Sequence, residues 1–261
     1  MGITYYGSER AVIDAPGDYT ITQDLTQPDY IESCIWVVPG THFVTIRLRS
    51  RLEGTGGPAS VNSGIQANGC AALTVLNDGG SMRGFAYGVN LWDCYLARVE
   101  RLFVRDGYFR GIKIEGNDAY VADCDIRAIK GATWTPNAYA FGIEVQGIGS
   151  TNEGRHKVLR NSVFDVCGVG TGESVGISVS DKGLNSVVFG NAIKNPALLA
   201  KSYGLWVGGV SDVSATHNLF DSWNVAGEFS EPPTGFTDDN AFRNCNALIV
   251  DRNNDVGGTV E

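Results

Sequence analysis

The apolar residues of this chain fall into one short phrase that keeps returning. A glycine, an apolar residue, any residue and a second apolar residue recur as Gly64-Ile65-Gln66-Ala67, Gly88-Val89-Asn90-Leu91, Gly111-Ile112-Lys113-Ile114, Gly142-Ile143-Glu144-Val145, Gly176-Ile177-Ser178-Val179 and Gly204-Leu205-Trp206-Val207. Each phrase alternates with period two, which is the behaviour of a strand with one buried and one exposed face. Successive glycines lie 24, 23, 31, 34 and 28 residues apart. Recurrence at such intervals signals a stacked architecture in which each repeat buries its apolar face against its neighbours. The pattern predicts six like strands, with Val89, Leu91, Ile112, Ile114, Ile143, Val145, Ile177, Val179, Leu205 and Val207 lining one interior stack.

A second pattern follows four of these phrases, in Val121–Ile126, Val158–Phe164, Val187–Ile193 and Val213–Phe220. Asp125, Asn161, Asn191 and Asn218 fall 14, 19, 15 and 14 residues after their glycines. Asn and Asp tolerate left-handed turn geometry and can hydrogen-bond along a stack, so a polar ladder at one corner is expected. The unequal spacings place insertions at the corners, in loops over 131–137, 147–154 and 168–173. Ile13–Tyr19 and Val44–Leu48 read as a cap and a first coil. The segment 227–240, with Pro232 and Pro233, reads as a terminal loop, and Asn246–Val250 as a last strand.

Glycine accounts for 34 of the 261 residues, which favours turns over long helices. No run approaches the roughly 18 apolar residues that a membrane-spanning helix requires, and no membrane partner is expected. The first residues carry neither a basic region nor an apolar stretch, so no secretory signal is expected, and the compartment is left open. Twenty basic residues against 29 acidic ones give a net charge of −9, which argues against nucleic acid as a partner. The six cysteines (Cys34, Cys70, Cys94, Cys124, Cys167, Cys245) lack metal or redox spacing; buried free thiols are favoured, with up to three disulfides open. His42, His156 and His217 are scattered, so structural or solvated roles are expected for each.

The Gly-Ile-x-Val phrases, the Asn corner and the opening Ala15-Pro16-Gly17-Asp18-Tyr19 resemble the right-handed parallel β-helix proteins of the pectate-lyase-like superfamily, over about Ile31 to Val250. The resemblance implies an all-β, single-stranded parallel β-helix of about eight coils in one domain. Residues 1–30 would form an N-terminal cap, 31–226 the coils, and 227–261 a C-terminal loop and last strand. In that family the first parallel sheet and its flanking loops form a saccharide groove. The chemistry is left open, because the superfamily spans lyases, hydrolases, epimerases and non-catalytic members. The Asp-His strand motif of pectate lyases and the three spaced aspartates of polygalacturonases are both missing. Gly111-Ile112-Lys113-Ile114 echoes a polygalacturonase segment, but Asp238 and Asp239 come too late to supply the aspartates.

The outward residues of the repeated strand are Gln66 and Asn68, Asn90 and Trp92, Lys113 and Glu115, Glu144 and Gln146, Ser178 and Ser180, and Trp206 and Gly208. Charge gathers in the middle of this face, with indoles towards both ends. Lys113, Glu115 and Glu144 are the candidate catalytic groups, and Asn90, Trp92, Arg110, Gln146 and Trp206 the candidate substrate-binding groups. Strands about 4.8 Å apart would make Lys113 and Glu144 lateral neighbours and put Glu115 and Glu144 about 8 Å apart on the diagonal. That separation lies within the roughly 6.5–9.5 Å of inverting glycosidases. Alternatively, Lys113 removes a proton alpha to a carboxyl group while Arg110 holds the carboxylate bidentately. A plain surface ladder of opposite charges is the competing reading.

No metal ligand set is assigned and no cofactor is required, although Asp93, Asn117, Asp118 and Asp181 at the first corner leave Ca²⁺ open, with ordinary turn chemistry favoured. Three functions follow: a carbohydrate-active enzyme (lyase, epimerase or hydrolase), an acid/base isomerase or cyclase for a small molecule held among Trp134, Tyr139 and Phe141, and a non-catalytic glycan-binding or adhesion module. A homo-oligomer is compatible with all three, and a trimer would favour the last.

Overall fold

The computed structural model describes residues 2–29, 32–134, 137–148, 154–180, 185–196, 198–209, 212–229, 236 and 239–251. The chain is all-β, with three parallel sheets and, among the described residues, no closed barrel, an arrangement consistent with a β-solenoid. The repeated phrases occupy the first sheet, as Ser63–Asn68, Tyr87–Trp92, Arg110–Glu115, Ala140–Gln146, Ser174–Ser180 and Ser202–Gly208, each hydrogen-bonded to the next in register. Arg10–Ile13 and Ser33–Val37 precede them in this sheet, and Val225–Phe229 and Ala247–Asp251 follow. Ile3–Tyr6 pairs antiparallel with Arg10–Ile13 at the sheet's first edge. The remaining two strands of each repeat go to the second and third sheets, for example Tyr120–Ala122 and Asp125–Lys130.

All ten residues expected in the interior stack are fully buried. They meet parallel stacks from the other two sheets, such as Val75, Val99, Val121, Val158 and Val188, and Met82, Val104, Ile126, Val163 and Ile193. β-Branched side chains suit these positions because they restrict χ1 and pack well on a pleated surface. Trp223 closes the later part of the core, its indole N–H donating to the Ile193 carbonyl at 2.9 Å.

The glycine that opens each phrase has a steric cause. A Cβ at Gly64, Gly88, Gly111, Gly142 or Gly176 would stand 2.5–2.7 Å from the carbonyl oxygen of the equivalent glycine one coil on. It would also press on a core side chain, as at Gly142 against Val163. Backbone stacks on backbone along this line, and only glycine leaves room.

Each segment of the second pattern is two short strands in different sheets, joined by a sharp corner. The ladder there is real, but its membership differs from expectation. Asn161 Nδ2 donates to Asn191 Oδ1 at 3.0 Å, Asn191 Nδ2 to Asn218 Oδ1 at 2.9 Å, and Asn218 Nδ2 to Asn240 Oδ1 at 3.0 Å. Asn240 ends this series from within the segment expected to be a terminal loop. Asp125 is not a member: Cys124 holds the equivalent place, its N–H donating to Asn161 Oδ1 at 2.9 Å, while Asp125 lies in the next strand and pairs with Arg127. The left-handed conformation belongs to the residue before the ladder, at Asp123, Arg160, Gly190 and His217, with φ between 53° and 67°. The side chain of the asparagine thus satisfies the neighbouring coil while its predecessor turns the chain.

The terminal loop expected from Gly227 begins later, because Val225–Phe229 is a first-sheet strand in register with Ser202–Gly208. Pro232, Pro233 and Asp238 lie outside the described residues. All six cysteines are free thiols. Burial pushes the thiols of Cys34 and Cys124 up to about 12, which keeps them protonated and inert.

Candidate functional site

The outward face of the first sheet carries a row running Trp36, Gln66, Asn90, Lys113, Glu144, Ser178, Trp206 and Glu228, each in register with the next. The lateral pairing of Lys113 with Glu144 is as the phrases predict. Their side-chain partners are different. Lys113 Nζ lies 3.2 Å from Glu115 Oε2, two residues along its own strand, and both side chains are about one-fifth exposed. Glu144 instead accepts from Arg110 Nε, and from Arg110 Nη2 at 3.4 Å.

Burial corrects the expectation that this whole face is open to solvent. Glu144 is only 4% exposed, and Ser178 beside it is fully buried. Aromatic rings cause this. Tyr139 stacks on Phe141 and Phe141 on Trp206, with centroids 6.1 Å apart in both pairs. The Arg110 guanidinium lies 3.8 Å from the Phe109 ring centroid and 4.8 Å from that of Phe141, with Tyr87 at 5.8 Å. Trp134 packs edge-on against Phe109, at 5.0 Å. The cation is thus held between aromatic faces and a carboxylate, where electrostatic attraction is less screened than in water. Burial pushes the Tyr87 hydroxyl above its ordinary range, against the opposing pull of Arg110.

Two ion pairs therefore stand side by side on adjacent strands. The buried one, Arg110–Glu144, is rigid and aromatic-walled. The more exposed one, Lys113–Glu115, puts an ammonium and a carboxylate within reach of a ligand lying on the sheet. Asn90 and Gln146 flank it, in register with Lys113 and Glu115 respectively, and are partly exposed. Trp92 is 58% exposed at the end of its strand and keeps an open indole face, whereas one face of Trp206 is taken by Phe141. The Ser178 hydroxyl has no hydrogen-bond partner among the described residues, although it lies between Glu144 and Trp206.

The row also extends further than the phrases indicate. Trp36 was missed because Cys34-Ile35-Trp36-Val37 lacks the opening glycine. Its indole faces the Arg10 guanidinium at 4.7 Å, beside a depression of about 390 Å³ lined by Tyr6, Arg10, Val12 and Trp36. Glu228 was missed because Ala226 replaces glycine in Ala226-Gly227-Glu228-Phe229; it is nearly buried beside Trp206. Both positions still obey the period-two alternation, which was the signal available to find them.

At the first corner, Asn117 exchanges hydrogen bonds with the Ile148 backbone, and Asp118 forms a two-point pair with Arg155 at 2.8 and 2.9 Å. Asp93 and Asp118 have left-handed backbones. These are turn roles; Asp181 lies outside the described residues. Among the described residues no three His, Cys, Asp or Glu side chains gather into a metal-binding group. His42 Nδ1 accepts the Ala71 N–H at 3.0 Å, and His217 packs on Phe189 at 5.0 Å. His156 is fully buried, its Nδ1 accepting the Ala119 N–H at 3.3 Å, and desolvation lowers its pKa to about 4.

Comparison of the chain with protein-family models, curated proteins and solved structures finds no match in any of the three.

Proposed function

We propose that this chain is a right-handed, single-stranded parallel β-helix of about ten coils, related to the pectate-lyase-like superfamily, with its cap confined to the residues before Arg10 because residues 10–27 already supply a strand to each sheet, and that it is a carbohydrate-active enzyme. The antiparallel strand Ile3–Tyr6 at the first edge supports a cap, since a reversed strand ends the parallel stacking of coils there. The observation that carries the functional reading is the convergence of Arg110, Lys113, Glu115 and Glu144 on two neighbouring outward strands, walled by Tyr87, Phe109 and Phe141.

In this reading Lys113 and Glu115 touch the substrate, and the Arg110–Glu144 pair positions them. On a uronate, the Glu115 carboxylate takes the proton alpha to the sugar's carboxyl group while the Lys113 ammonium donates a proton to the leaving glycosidic oxygen. The C–O bond breaks and a C=C bond forms, so atoms and charge balance. On a neutral glycoside the same carboxyl–ammonium pair serves hydrolysis, with water as nucleophile. Asn90, Gln146 and the open face of Trp92 bind the sugar units, and no cofactor enters these steps.

The test is a screen of the purified chain against glycans and polyuronates, with and without Ca²⁺, following reducing ends and the ultraviolet absorbance of unsaturated uronate products. Lys113→Met and Glu115→Gln should each lower turnover by at least about 100-fold. Wild-type turnover in both variants would reject the site. The non-catalytic glycan-binding reading is favoured by one observation: every charge in the cluster already has an internal partner. Saccharide binding without turnover across the screen would establish it instead.

A further inference from the structure

The third sheet also presents an outward row, and its chemistry differs from that of the first. In register from coil to coil run Glu53, Arg83, Arg105, Arg127, Phe164, Lys194, Asp221 and Arg243. Three arginines stand next to each other, followed by an aromatic ring and a lysine, in a chain whose net charge is −9. Like charges directly opposite on adjacent strands destabilise a sheet. The core does not require them, because Met82, Val104, Ile126, Val163 and Ile193 supply the interior contacts of the same strands.

Internal neutralisation is partial. Arg83 Nη2 donates to Glu53 at 2.5 Å and Arg127 Nε to Asp125 at 2.7 Å. Arg105 rests over the Phe103 ring at 4.7 Å, and neither it nor Lys194 has a carboxylate partner among the described residues. Beside this row the surface sinks. Ser162 and Ala192, small residues in register on neighbouring strands, form a floor, and Arg127, Phe164 and Lys194 form the walls of a depression of about 240 Å³. Phe164 is exposed, standing between the two cations.

We propose that this depression is a binding site for one acidic sugar unit, a pyranose ring bearing a carboxylate or a sulfate. The ring's apolar face would lie on Phe164, and its anionic group would meet the free edge of the Arg127 guanidinium and the Lys194 ammonium, with the Ser162 hydroxyl available to a ring hydroxyl. Arg105 and Arg83 continue the cationic row at a coil spacing of about 4.8 Å, so an adjoining acidic unit would find a charge there too. The volume is below the roughly 300–1,000 Å³ of pockets for drug-sized ligands, which fits a single ring. A nucleic acid strand is disfavoured, because it needs a succession of phosphate contacts and stacking platforms, and here a single exposed ring faces a molecule of net negative charge. This site is on a different sheet from the acid/base cluster and does not depend on that cluster being catalytic.

The test is isothermal titration of the intact chain with an oligogalacturonate, a sulfated oligosaccharide of equal length, a neutral maltooligosaccharide and an oligothymidylate. Binding of the carboxylated or the sulfated probe, weakening as salt rises and missing for the neutral sugar, is expected, and which of the two binds identifies the anionic group. Arg127→Gln, Lys194→Gln and Phe164→Ser should each weaken the third-sheet binding about tenfold, whereas Arg47→Gln on the second sheet should leave it within about twofold. All four residues are at least partly exposed, and an unchanged thermal midpoint would verify folding. An acidic-sugar isotherm unchanged by all three third-sheet substitutions, or weakened as much by Arg47→Gln, would overturn the assignment. So would binding of the oligothymidylate with none of either acidic saccharide. Absence of enzymatic turnover in the unaltered chain, with this binding intact, would count against the first-sheet reading only.

Discussion

Replacing Asn191 by alanine tests the corner ladder where the structure makes it most demanding. This side chain is almost fully buried and makes four hydrogen bonds. Its Oδ1 accepts the Asn161 N–H at 2.8 Å and Asn161 Nδ2 at 3.0 Å; its Nδ2 donates to the Val158 carbonyl at 2.9 Å and to Asn218 Oδ1 at 2.9 Å. At a net value of about 1 kcal/mol per bond, their loss amounts to about 4 kcal/mol. The stranded Asn161 N–H adds about 1–3 kcal/mol unless water reaches it, so a loss of about 4–7 kcal/mol is expected. Asp125→Ala is the matched control. Asp125 occupies the equivalent place by sequence spacing, yet it only pairs with an exposed arginine along its own strand, and its removal should cost less than about 1 kcal/mol. Urea denaturation followed by tryptophan fluorescence measures both, and hydrogen exchange at the Asn161 amide localises the effect, since solenoid coils open semi-independently. Asn191→Asp sharpens the argument: one carboxylate oxygen would face the Val158 carbonyl and Asn218 Oδ1, so its folded pKa is raised. A raised carboxyl pKa means that this variant regains stability as pH falls through that value. An Asn191→Ala variant within about 1 kcal/mol of Asp125→Ala would refute the claim that the ladder holds the coils together.

Three further outcomes are expected. Gly142→Ala places a Cβ 2.6 Å from the Gly176 oxygen and against Val163, and should destabilise by about 1–3 kcal/mol in a thermal melt; a melting temperature equal to wild type would contradict the backbone-stacking account. His156 is held neutral with a pKa of about 4 against about 6.5 unfolded. Its contribution is present above pH 6.5 and is lost as pH falls towards 4, about 3 kcal/mol in all, so His156→Gln should flatten the stability profile over that window. An NMR titration of the imidazole near pH 6.5 would count against the burial. Glu144→Gln should cost about 2–4 kcal/mol because it leaves the Arg110 guanidinium without its counter-charge in an aromatic cage, whereas Glu115→Gln should cost less than about 1 kcal/mol. Equal melting shifts in the two would show that the pairs share one environment.

By itself the sequence determined the strands of the first sheet, their lateral partners and their interior stack, because period-two alternation and a repeated glycine are local and recur in every coil. Lys113 opposite Glu144 follows from that register alone. The glycine could be read only as a marker; that its Cβ would strike the next coil's backbone depends on how the coils stack. Trp36 and Glu228 obey the alternation but lack the glycine, and so escaped a template anchored on it. Tertiary structure alone decided which charges pair. Arg110 takes Glu144, and Lys113 takes Glu115, because Phe141 and Trp206 lie down over the sheet and exclude water from a face that alternation leaves open. It likewise decided ladder membership: Asp125 and Asn218 both lie 14 residues after their glycines, but one falls past the corner and the other within it. The cationic row on the third sheet was only partly within reach. Arg83, Arg105 and Arg127 recur every 22 residues, but Phe164 and Lys194 follow after 37 and 30, and only the register of the stacked coils brings all five into one line.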